Sequence, residues 1–451
     1  MAHRKPSDGD RVWIVNHYAS APDRPTGSRH FDLARNLSAR GHRVTIFSAG
    51  FSHETGREER LARGRLYRSE WFDGVQFVWL RTVPYRGNTW RRQLNMLSFF
   101  AAFVVVQTRW RRPDVVVGST VQPFAAFGGW LAARLRGTRF VFEIRDLWPQ
   151  TLVDLGALRV GSPGERLLRQ LEAFLVRRAS VVITLLPGMR DYLAERRLPS
   201  DHVVYIPNGV DLAVFDAHTH ADAGAPETVR RTLEEIRRLR EEGRFVLGYT
   251  GSFGRVNRLD VVIRAAAIAE QRAPGRVGVI LVGDGPERVD LERLAETVPA
   301  VVIGTAVPRR FVPAILLALD GTVVHATATP VYRYGISFNK LFEYMAAERP
   351  IVFATESAYD PVAATGSGIT VAPDDPEGLA RAFLELAGTT AEERAAMGAA
   401  GRAYVVREHN MEHLGEAFAA VVEGRPLADL AAVSASVSPT TSSLGEEPPT
   451  A

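Results

Sequence analysis

A glycine turn leads into a predicted helix that carries a lysine and a glutamate near its start. The stretch Tyr334 to Pro350 reads YGISFNKLFEYMAAERP, with Gly335 in the turn and Lys340 and Glu343 three residues apart on one helix face. A helix start presents unpaired backbone N–H groups and the positive end of the helix dipole, and both attract anions. The ammonium is a point charge for phosphate, and the carboxylate can accept hydrogen bonds from ribose hydroxyls. These residue types suit a nucleoside diphosphate.

The same pattern also fits an amphipathic helix with a solvated Lys340–Glu343 pair and no ligand. Lysine usage favours the binding site, because Lys5 and Lys340 are the only lysines in the chain, whereas arginine is used throughout. A compact ammonium at this position can serve as a point charge on a phosphate.

Other candidate loops follow predicted strands. They are PTGSR at 25–29, EIRDLWP at 143–149, TGSFGRVNR at 250–258 and LVGDGPE at 281–287. Glycines let a backbone approach a phosphate, and arginines neutralise it, although each loop could also simply turn the chain or form a surface ion pair. His325 closes a later strand and could donate to a ligand, but a lone histidine there is more often structural.

Strands and helices alternate in two blocks, which is typical of parallel α/β domains. The predicted fold class is α/β, with two Rossmann-like parallel-sheet domains facing each other across a cleft. We expect an N-terminal acceptor-binding domain at 10–210, a linker with a charged helix at 211–244, a C-terminal donor domain at 245–426 and a disordered tail at 427–451. Ligands of such sheets bind beyond the carboxyl ends of the strands, where the candidate loops lie.

Composition narrows the function classes. With 451 residues, 46% hydrophobic and 24% charged residues, the chain has the profile of a two-domain globular protein. A net charge of +4 with no concentrated basic stripe argues against nucleic acid as a partner. The chain has no cysteine and no HxH or HExxH spacing, so neither a metal site nor another cofactor is expected. The N-terminus has no apolar signal core, so a cytoplasmic location is expected.

Together, four segments resemble family-4 glycosyltransferases of GT-B fold. They are PTGSRHFDLARNLSARGHRVTIFSA, YIPNGVDLAVF, ILVGDGPERVDLERLA and NKLFEYMAAERPIVF, in the order and spacing of that family. The segments EIRDLWPQTLVDLG and YGISFNKLFEYMAA are similar to a subgroup that includes bacterial N-acetylfucosaminyl transferases of surface-polysaccharide assembly. The resemblance implies a retaining transfer from a nucleoside-diphosphate sugar without an essential metal. It favours a UDP-linked donor, an N-acetylated deoxysugar and a lipid-linked or other glycosyl acceptor.

Site residues follow from the loops and from the resemblance. Catalytic roles are expected for Asp146, Arg258 and Lys340. The donor-binding set is predicted to comprise Gly251, Ser252, Gly283, Gly285, Gly335, Ile336, Ser337, Phe338, Lys340 and Glu343. The acceptor-side set is predicted to comprise Gly27, Arg29, Arg145 and Trp148.

The chain departs from the family pattern at three positions. Glu343 matches the second glutamate of the family's E-x7-E motif, but Gly335 stands where the first glutamate should be. Ser252 replaces a common arginine, and Glu348 replaces a usual glycine after the Met-Ala-Ala run. The departures at Gly335 and Ser252 also fit a non-catalytic nucleotide-sugar-binding protein. A transferase acting on a soluble natural-product aglycone is a further alternative.

The segment 88–112 has an apolar run from Leu94 to Val106 between two Trp-Arg-Arg triplets. It is too short to span a bilayer, which takes about 20 residues. Tryptophan and arginine at both ends suit an interfacial element on anionic lipid, and a core helix is the alternative. The segment predicts peripheral contact with the inner face of the cell membrane.

Overall fold

The computed structural model describes residues 9–23, 29–53, 55–87, 90–220 and 224–430. Gly27 and residues 431–451 of the predicted tail therefore lie outside the described residues. The first residues of that tail, 427–430, are helical, and Leu430 is buried, so this part is not the disordered segment that the sequence predicted. Within the described part, none of the helices combines the length and apolarity needed to cross a bilayer.

The first half of the chain alternates strands and helices. Its elements are β1 (Arg11–Val15), α1 (Arg29–Ala39), β2 (Arg43–Ala49), β3 (Phe51–Ser52), β4 (Arg57–Glu58), β5 (Tyr67–Phe72), β6 (Val75–Leu80), α2 (Trp90–Val106), β7 (Val115–Ser119), α3 (Pro123–Arg136), β8 (Arg139–Ile144), α4 (Gln150–Asp154), α5 (Pro163–Arg178), β9 (Val181–Thr184), α6 (Met189–Glu195) and β10 (Val203–Tyr205).

The second half repeats this alternation. Its elements are α7 (Leu212–Ala217), α8 (Glu227–Glu241), β11 (Phe245–Ser252), α9 (Leu259–Arg272), β12 (Val277–Asp284), α10 (Arg288–Ala295), β13 (Val301–Thr305), α11 (Val312–Ala318), β14 (Gly321–His325), α12 (Asn339–Ala346), β15 (Ile351–Ala354), α13 (Pro361–Thr365), β16 (Gly368–Val371), α14 (Pro376–Gly388), α15 (Ala391–Glu408) and α16 (Met411–Glu423).

Two parallel sheets form the domain cores, which confirms the predicted fold class. The first sheet has the order β10-β9-β8-β7-β1-β2-β6-β5, and only β5 runs antiparallel to its neighbour. The second sheet has the order β13-β12-β11-β14-β15-β16, with every pair parallel. Their central strands are buried on both faces, which explains the continuous apolar runs such as VVV in β7.

Two helices pack in places that the sequence analysis did not predict. The charged helix α8, expected in the linker, buries Val229, Ile236 and Leu239 in the core of the second domain. The last helix, α16, belongs by sequence position to the second domain, but its residues pack into the core of the first sheet beside α1. An apolar helix face shows that a helix is buried but not which sheet it covers.

Candidate active site

The turn before α12 presents unpaired amides at the carboxyl edge of the second sheet. Among the described residues, the backbone N–H groups of residues 336–340 donate no hydrogen bond. The apolar face of α12, with Leu341, Phe342 and Met345, is buried in the domain core and fixes the direction of the helix. The helix start is therefore rigidly held and open to an anion.

Lys340 is positioned by two residues from the β11 strand and its loop. Its Nζ donates to the Tyr249 hydroxyl at 2.8 Å and to Asn257 Oδ1 at 2.8 Å, and it lies 4.5 Å from the centroid of the Tyr249 ring. The Asn257 amide in turn donates to the Ser252 carbonyl oxygen at 2.9 Å. These contacts hold the ammonium over the glycine loop that follows β11, where a diphosphate would need it.

Gly251 makes room for this arrangement. It has a φ of +151°, and a Cβ atom there would lie 3.1 Å from the Tyr249 hydroxyl and 3.5 Å from Lys340 Cε. A larger side chain would compete with the lysine for the same space.

Lys340 is half-buried, and its surroundings are mostly uncharged. Desolvation lowers the pKa of Lys340 to about 7, although the Glu343 carboxylate acts in the opposite direction. An anion beside Nζ would stabilise the protonated form and raise this pKa. The ammonium is therefore tuned to become fully charged when an anion binds.

Glu343 pairs with an arginine that the sequence analysis did not identify. Its Oε1 lies 3.3 Å from an Arg309 guanidinium nitrogen, and the side chain is 18% exposed. Within the described residues it forms no ion pair with Lys340, so the solvated Lys340–Glu343 pair considered from sequence is absent. Glu343 and Arg309 instead form a small polar surface after β13.

Arg258 is held by two carboxylates. Its guanidinium lies 2.9 Å from Asp260 and 3.2 Å from Asp374, and its backbone has a φ of +40°. The hydrogen bonds that Arg258 donates to the Asp260 carboxylate raise the pKa of Arg258. The positive charge is thus already compensated, in contrast to that of Lys340.

Gly335 lies where the two domains touch. Its φ is +102°, and a Cβ atom there would come within 2.5 Å of Pro187 Cδ in the first domain. Next to it, Tyr334 is buried among first-domain residues, and its carbonyl oxygen accepts a hydrogen bond from the Gly188 amide at 2.9 Å. A glutamate at this position would clash, which gives the physical reason for this departure from the family pattern.

The remaining turn residues also have structural partners. Ile336 is buried, and the Asn208 side chain donates to the Ser337 carbonyl oxygen at 2.7 Å. The ring of Phe338 packs edge-on against Tyr332. Gly283 permits close strand contact, since a Cβ atom there would lie 1.8 Å from the Gly251 carbonyl oxygen. Among the described residues, what these turn residues leave unpaired for a ligand is the backbone N–H groups of residues 336–338.

Two other candidate residues, Gly285 and His325, also have structural roles. Gly285 packs against the backbone of Phe253, where a Cβ atom would lie 2.6 Å from the carbonyl oxygen. His325 is fully buried, with its ring nitrogens hydrogen-bonded to the Asn257 carbonyl oxygen and the Asp374 amide. Burial lowers the pKa of His325, which agrees with the structural interpretation.

Arg29, predicted on the acceptor side, belongs to a buried charge cluster. Its guanidinium binds Glu143 at 3.0 Å and the Ile206 carbonyl oxygen at 2.7 Å, while His30 Nε2 lies 2.6 Å from the other Glu143 oxygen. Burial alone would raise the pKa of Glu143, but His30 and Arg29 lower it well below its ordinary value. This cluster ties α1 to the ends of β8 and β10, so Arg29 has a structural role, and its acceptor-side role stays a prediction.

Asp146 lies at the cleft after β8. Its side chain reaches solvent, yet surrounding protein atoms desolvate the carboxyl group and raise its pKa, against the lowering effect of Arg145. Across the cleft, burial and the Asp146 carboxylate raise the pKa of Tyr332 to about 12. Trp148 is half-buried two residues further on. Asp146 therefore faces the segment of the second domain that leads to α12.

The sequence analysis missed Tyr249, Asn257 and Arg309. Tyr249 precedes the glycine loop on β11, and Asn257 ends it, so their nearness to that loop was the available signal. No group of three or more potential metal-binding side chains was found within the described ranges.

Two family models match the chain. The Glycosyl transferase 4-like domain matches residues 27–209, and the Glycosyl transferases group 1 domain matches residues 244–389. Together the two matches cover more than half of the chain.

Curated relatives are similar over parts of the sequence. The putative colanic acid biosynthesis glycosyl transferase WcaI of Escherichia coli is 27% identical over 59% of this chain and 63% of its own length. The probable glycosyltransferase WbjE of Pseudomonas aeruginosa is 24% identical over 74% of this chain and 80% of its own. The 2-deoxystreptamine glucosyltransferase of Streptomyces kanamyceticus is 28% identical over 52% and 62%. The chain thus spans less than two thirds of the first and third of these relatives.

Solved structures show the same fold. HepE of Anabaena, in complex with UDP and glucose, superposes with a TM-score of 0.61 at 15% identity, over 92% of this chain and 99% of that one. WaaG, a glycosyltransferase involved in lipopolysaccharide biosynthesis, gives a TM-score of 0.62 at 17% identity, over 92% and 100%.

Proposed function

Because the chain belongs to the GT-B glycosyltransferases, we propose that it transfers a sugar from a nucleoside-diphosphate sugar to a glycosyl acceptor, with retention of anomeric configuration. The observation that carries this proposal is the Lys340 ammonium, held by Tyr249 and Asn257 beside the unpaired amides that open α12. The two features together offer a positive charge and several donors to one anion.

In the proposed reaction, the bond between the anomeric carbon and the diphosphate oxygen breaks, and its electron pair leaves with the diphosphate. Lys340 and the amides of residues 336–340 stabilise the charge that develops there. The acceptor hydroxyl oxygen forms the new bond to the anomeric carbon, and its proton passes to the departing diphosphate oxygen. We place Asp146 on the acceptor side, where it accepts a hydrogen bond from that hydroxyl and orients it.

Glu343 and Arg309 are the proposed contacts of the nucleoside. The Glu343 carboxylate can accept hydrogen bonds from both ribose hydroxyls, and Arg309 fixes the carboxylate in place. The complex of HepE with UDP supports a UDP-linked donor. We assign the contact with the phosphates to Lys340 rather than to Arg258, because Arg258 already forms ion pairs with two carboxylates.

A lipid-linked acceptor of polysaccharide biosynthesis is the proposed acceptor, in line with the names of WcaI and WaaG. One face of α2 supports it, because Trp90, Leu97 and Val105 are 69%, 44% and 52% exposed and align at helical spacing. The opposite face packs into the core of the first domain. The exposed face is flanked by arginines at 91, 109, 111 and 112.

Vesicle sedimentation tests the membrane contact. We expect the chain to bind anionic phosphatidylglycerol vesicles more strongly than neutral phosphatidylcholine vesicles, and we expect Trp90→Ser with Leu97→Ser to weaken this binding. Leu135→Ser, on an exposed position of α3, is the matched control. Equal affinity for the two kinds of vesicle, or no binding to either, would contradict a contact between α2 and an anionic membrane.

The transferase activity is tested with a panel of UDP-sugars and a prenyl-diphosphate-linked monosaccharide. Release of UDP that depends on the acceptor, with NMR detection of the anomeric configuration in the product, would support the proposal. Transfer to an aminocyclitol but not to the lipid would favour the soluble-acceptor alternative that the 2-deoxystreptamine glucosyltransferase suggests. UDP-sugar binding without any turnover would contradict catalysis and favour a binding protein.

A further inference from the structure

A cavity of 330 Å³ opens between the carboxyl ends of the first-domain strands and the start of α12. First-domain residues His17, Tyr18, His53, Arg92 and Arg145 line it, and the second domain contributes Asn339. Asn339 directly precedes Lys340, so the cavity adjoins the place proposed for the leaving diphosphate. A ligand in this cavity would face the donor across the domain cleft.

The walls of the cavity carry positive charge only. Among its described lining residues there is no aspartate or glutamate, whereas Arg29, Arg92 and Arg145 all contribute. The charge of Arg29 is compensated by Glu143, which lies fully buried behind the wall. The guanidinium group of Arg145 therefore contributes a positive potential that a ligand in the cavity meets.

Arg145 is fixed in place but has no side-chain partner. Its backbone amide donates to the Thr120 hydroxyl at 2.9 Å, which anchors the residue after β8. Its Nε is shielded from solvent and makes no hydrogen bond, and the guanidinium forms no ion pair with any described residue. A buried donor without an acceptor is costly, so the unpaired Nε of Arg145 is a candidate contact for a bound anion.

Two of the three histidines that line the cavity, His17 and His53, are uncharged at neutral pH. Burial lowers the pKa of His17 to about 3, and its ring is stacked against Phe99. Burial likewise lowers the pKa of His53, whose Nδ1 is hydrogen-bonded to the Tyr85 hydroxyl at 2.6 Å. The two rings offer flat polar surfaces, while the positive charge comes from the arginines.

We infer that this cavity binds an oxyanion carried by the acceptor, with the Arg145 guanidinium as its principal contact. The inference rests on the proposed function and narrows it, because it excludes neutral sugars and neutral aglycones as preferred acceptors. A guanidinium fork matches either a phosphate or a carboxylate in bidentate geometry. The oxyanion is therefore the phosphate of a phosphorylated acceptor or the carboxylate of a uronic acid.

Calorimetric titration of the full chain in saturating UDP tests the inference. The probes are glucose 1-phosphate, glucuronate and the neutral methyl glucoside. We expect at least one anionic probe to bind about tenfold or more tightly than methyl glucoside, as hydrogen bonds to charged groups imply. Preference for glucose 1-phosphate would identify a phosphate site, and preference for glucuronate a carboxylate site.

Variants locate the bound anion. Arg145→Gln should weaken the anionic probe about tenfold or more and leave methyl glucoside unchanged, and Arg145→Lys should restore part of the affinity. Arg91→Gln, an exposed neighbour of Arg92 outside the cavity, is the matched control and should bind normally. Thermal unfolding of Arg145→Gln checks that the fold is intact.

A last variant separates this inference from the proposed function. An anion bound at the donor side would be displaced by UDP and lost in Lys340→Met, whereas an anion bound at Arg145 would survive both. UDP binding in the parent chain together with equal affinities for charged and neutral probes would overturn the inference alone. Anion binding that is unaffected by Arg145→Gln would also overturn it, whatever the donor site does.

Discussion

Two charged clusters lie at the carboxyl edges of the two sheets, and they are built in opposite ways. In the first domain, Glu143 is enclosed by Arg29, His30 and the Ser119 hydroxyl, which donates at 2.6 Å. In the second, Lys340 is held by Tyr249 and Asn257, two neutral groups that leave its charge uncompensated. The first cluster is saturated by its own partners, whereas the second still has charge and amides to offer.

The difference separates a structural role from a binding role. Burying a charge is tolerable when partners inside the protein satisfy it, and the cluster then links elements of the fold. A charge that is positioned by neutral groups has no such function in the free protein. Its position becomes useful only when an anion arrives. On this basis we expect mutations in the first cluster to change stability and mutations in the second to change catalysis.

The largest effect is expected for Glu143→Ala. It leaves Arg29 buried without its carboxylate, which should lower the free energy of unfolding by about 3–5 kcal/mol. Urea unfolding measures this change, and Glu143→Gln serves if the alanine variant does not fold. The exposed ion-pair variant Glu287→Ala is the control and should lose at most about 1 kcal/mol. Equal losses in the two variants would mean that the buried cluster is not structural.

Lys340→Met should affect catalysis and not stability. It removes the ammonium and keeps most of the side-chain length, so kcat should fall by about 10²–10³-fold while the unfolding free energy changes little. Lys340→Arg should recover only part of the rate, because its fork is larger and aimed differently. Steady-state kinetics with the UDP-sugar decide the point. Near-normal turnover in the methionine variant would mean that the backbone amides stabilise the departing diphosphate without Lys340.

Glu343→Ala should weaken UDP binding by about 1.5–3 kcal/mol, since the charged hydrogen bonds to ribose are lost. Inorganic pyrophosphate has no ribose, and its affinity should therefore stay the same. Competition of both ligands against a fluorescent UDP analogue measures the two values. If the binding of pyrophosphate weakens as much as that of UDP, Glu343 affects the charge of Lys340 and does not contact the nucleoside.

Asn257→Asp should produce a smaller, pH-dependent effect. The new carboxylate would lie beside Lys340 Nζ, where Asn257 Oδ1 now accepts at 2.8 Å, and it would raise the pKa of Lys340. We expect UDP to bind several-fold more weakly, since the carboxylate compensates the ammonium, and the pH at which affinity declines to move upward. Asn257→Ser, which adds no charge, should leave that pH in place.

The sequence predicted the two sheets well, because their buried strands are continuous apolar runs separated by glycine turns. It did not predict that α16 returns to the first sheet, since helix amphipathicity carries no information about the partner surface. At the site, Lys340 and Glu343 were recognisable from a local pattern. Their partners Tyr249, Asn257 and Arg309 come from other elements of the second domain, and only packing brings them together.

Arg29 is a residue whose structural partner could not be predicted from the sequence. Its place in a glycine loop ahead of α1 suggested contact with the acceptor, and the structure shows that it also pairs with the buried Glu143. Both residues appear in candidate loops of the sequence, but no rule of spacing joins positions so far apart. Gly335 is a similar case, because the reason for its missing side chain is Pro187 of the other domain.

The central claim is that the Lys340 ammonium binds the donor diphosphate, and the pH dependence of UDP affinity tests it most directly. The pKa of Lys340 is about 7 in the free protein, and bound diphosphate should raise it, so the complex takes up a proton. Between about pH 8 and 9, where the terminal phosphate of UDP has lost its last proton, affinity should therefore fall by up to about tenfold per pH unit. Lys340→Met should bind weakly with no such slope. Parallel curves for the parent chain and this variant would contradict the account.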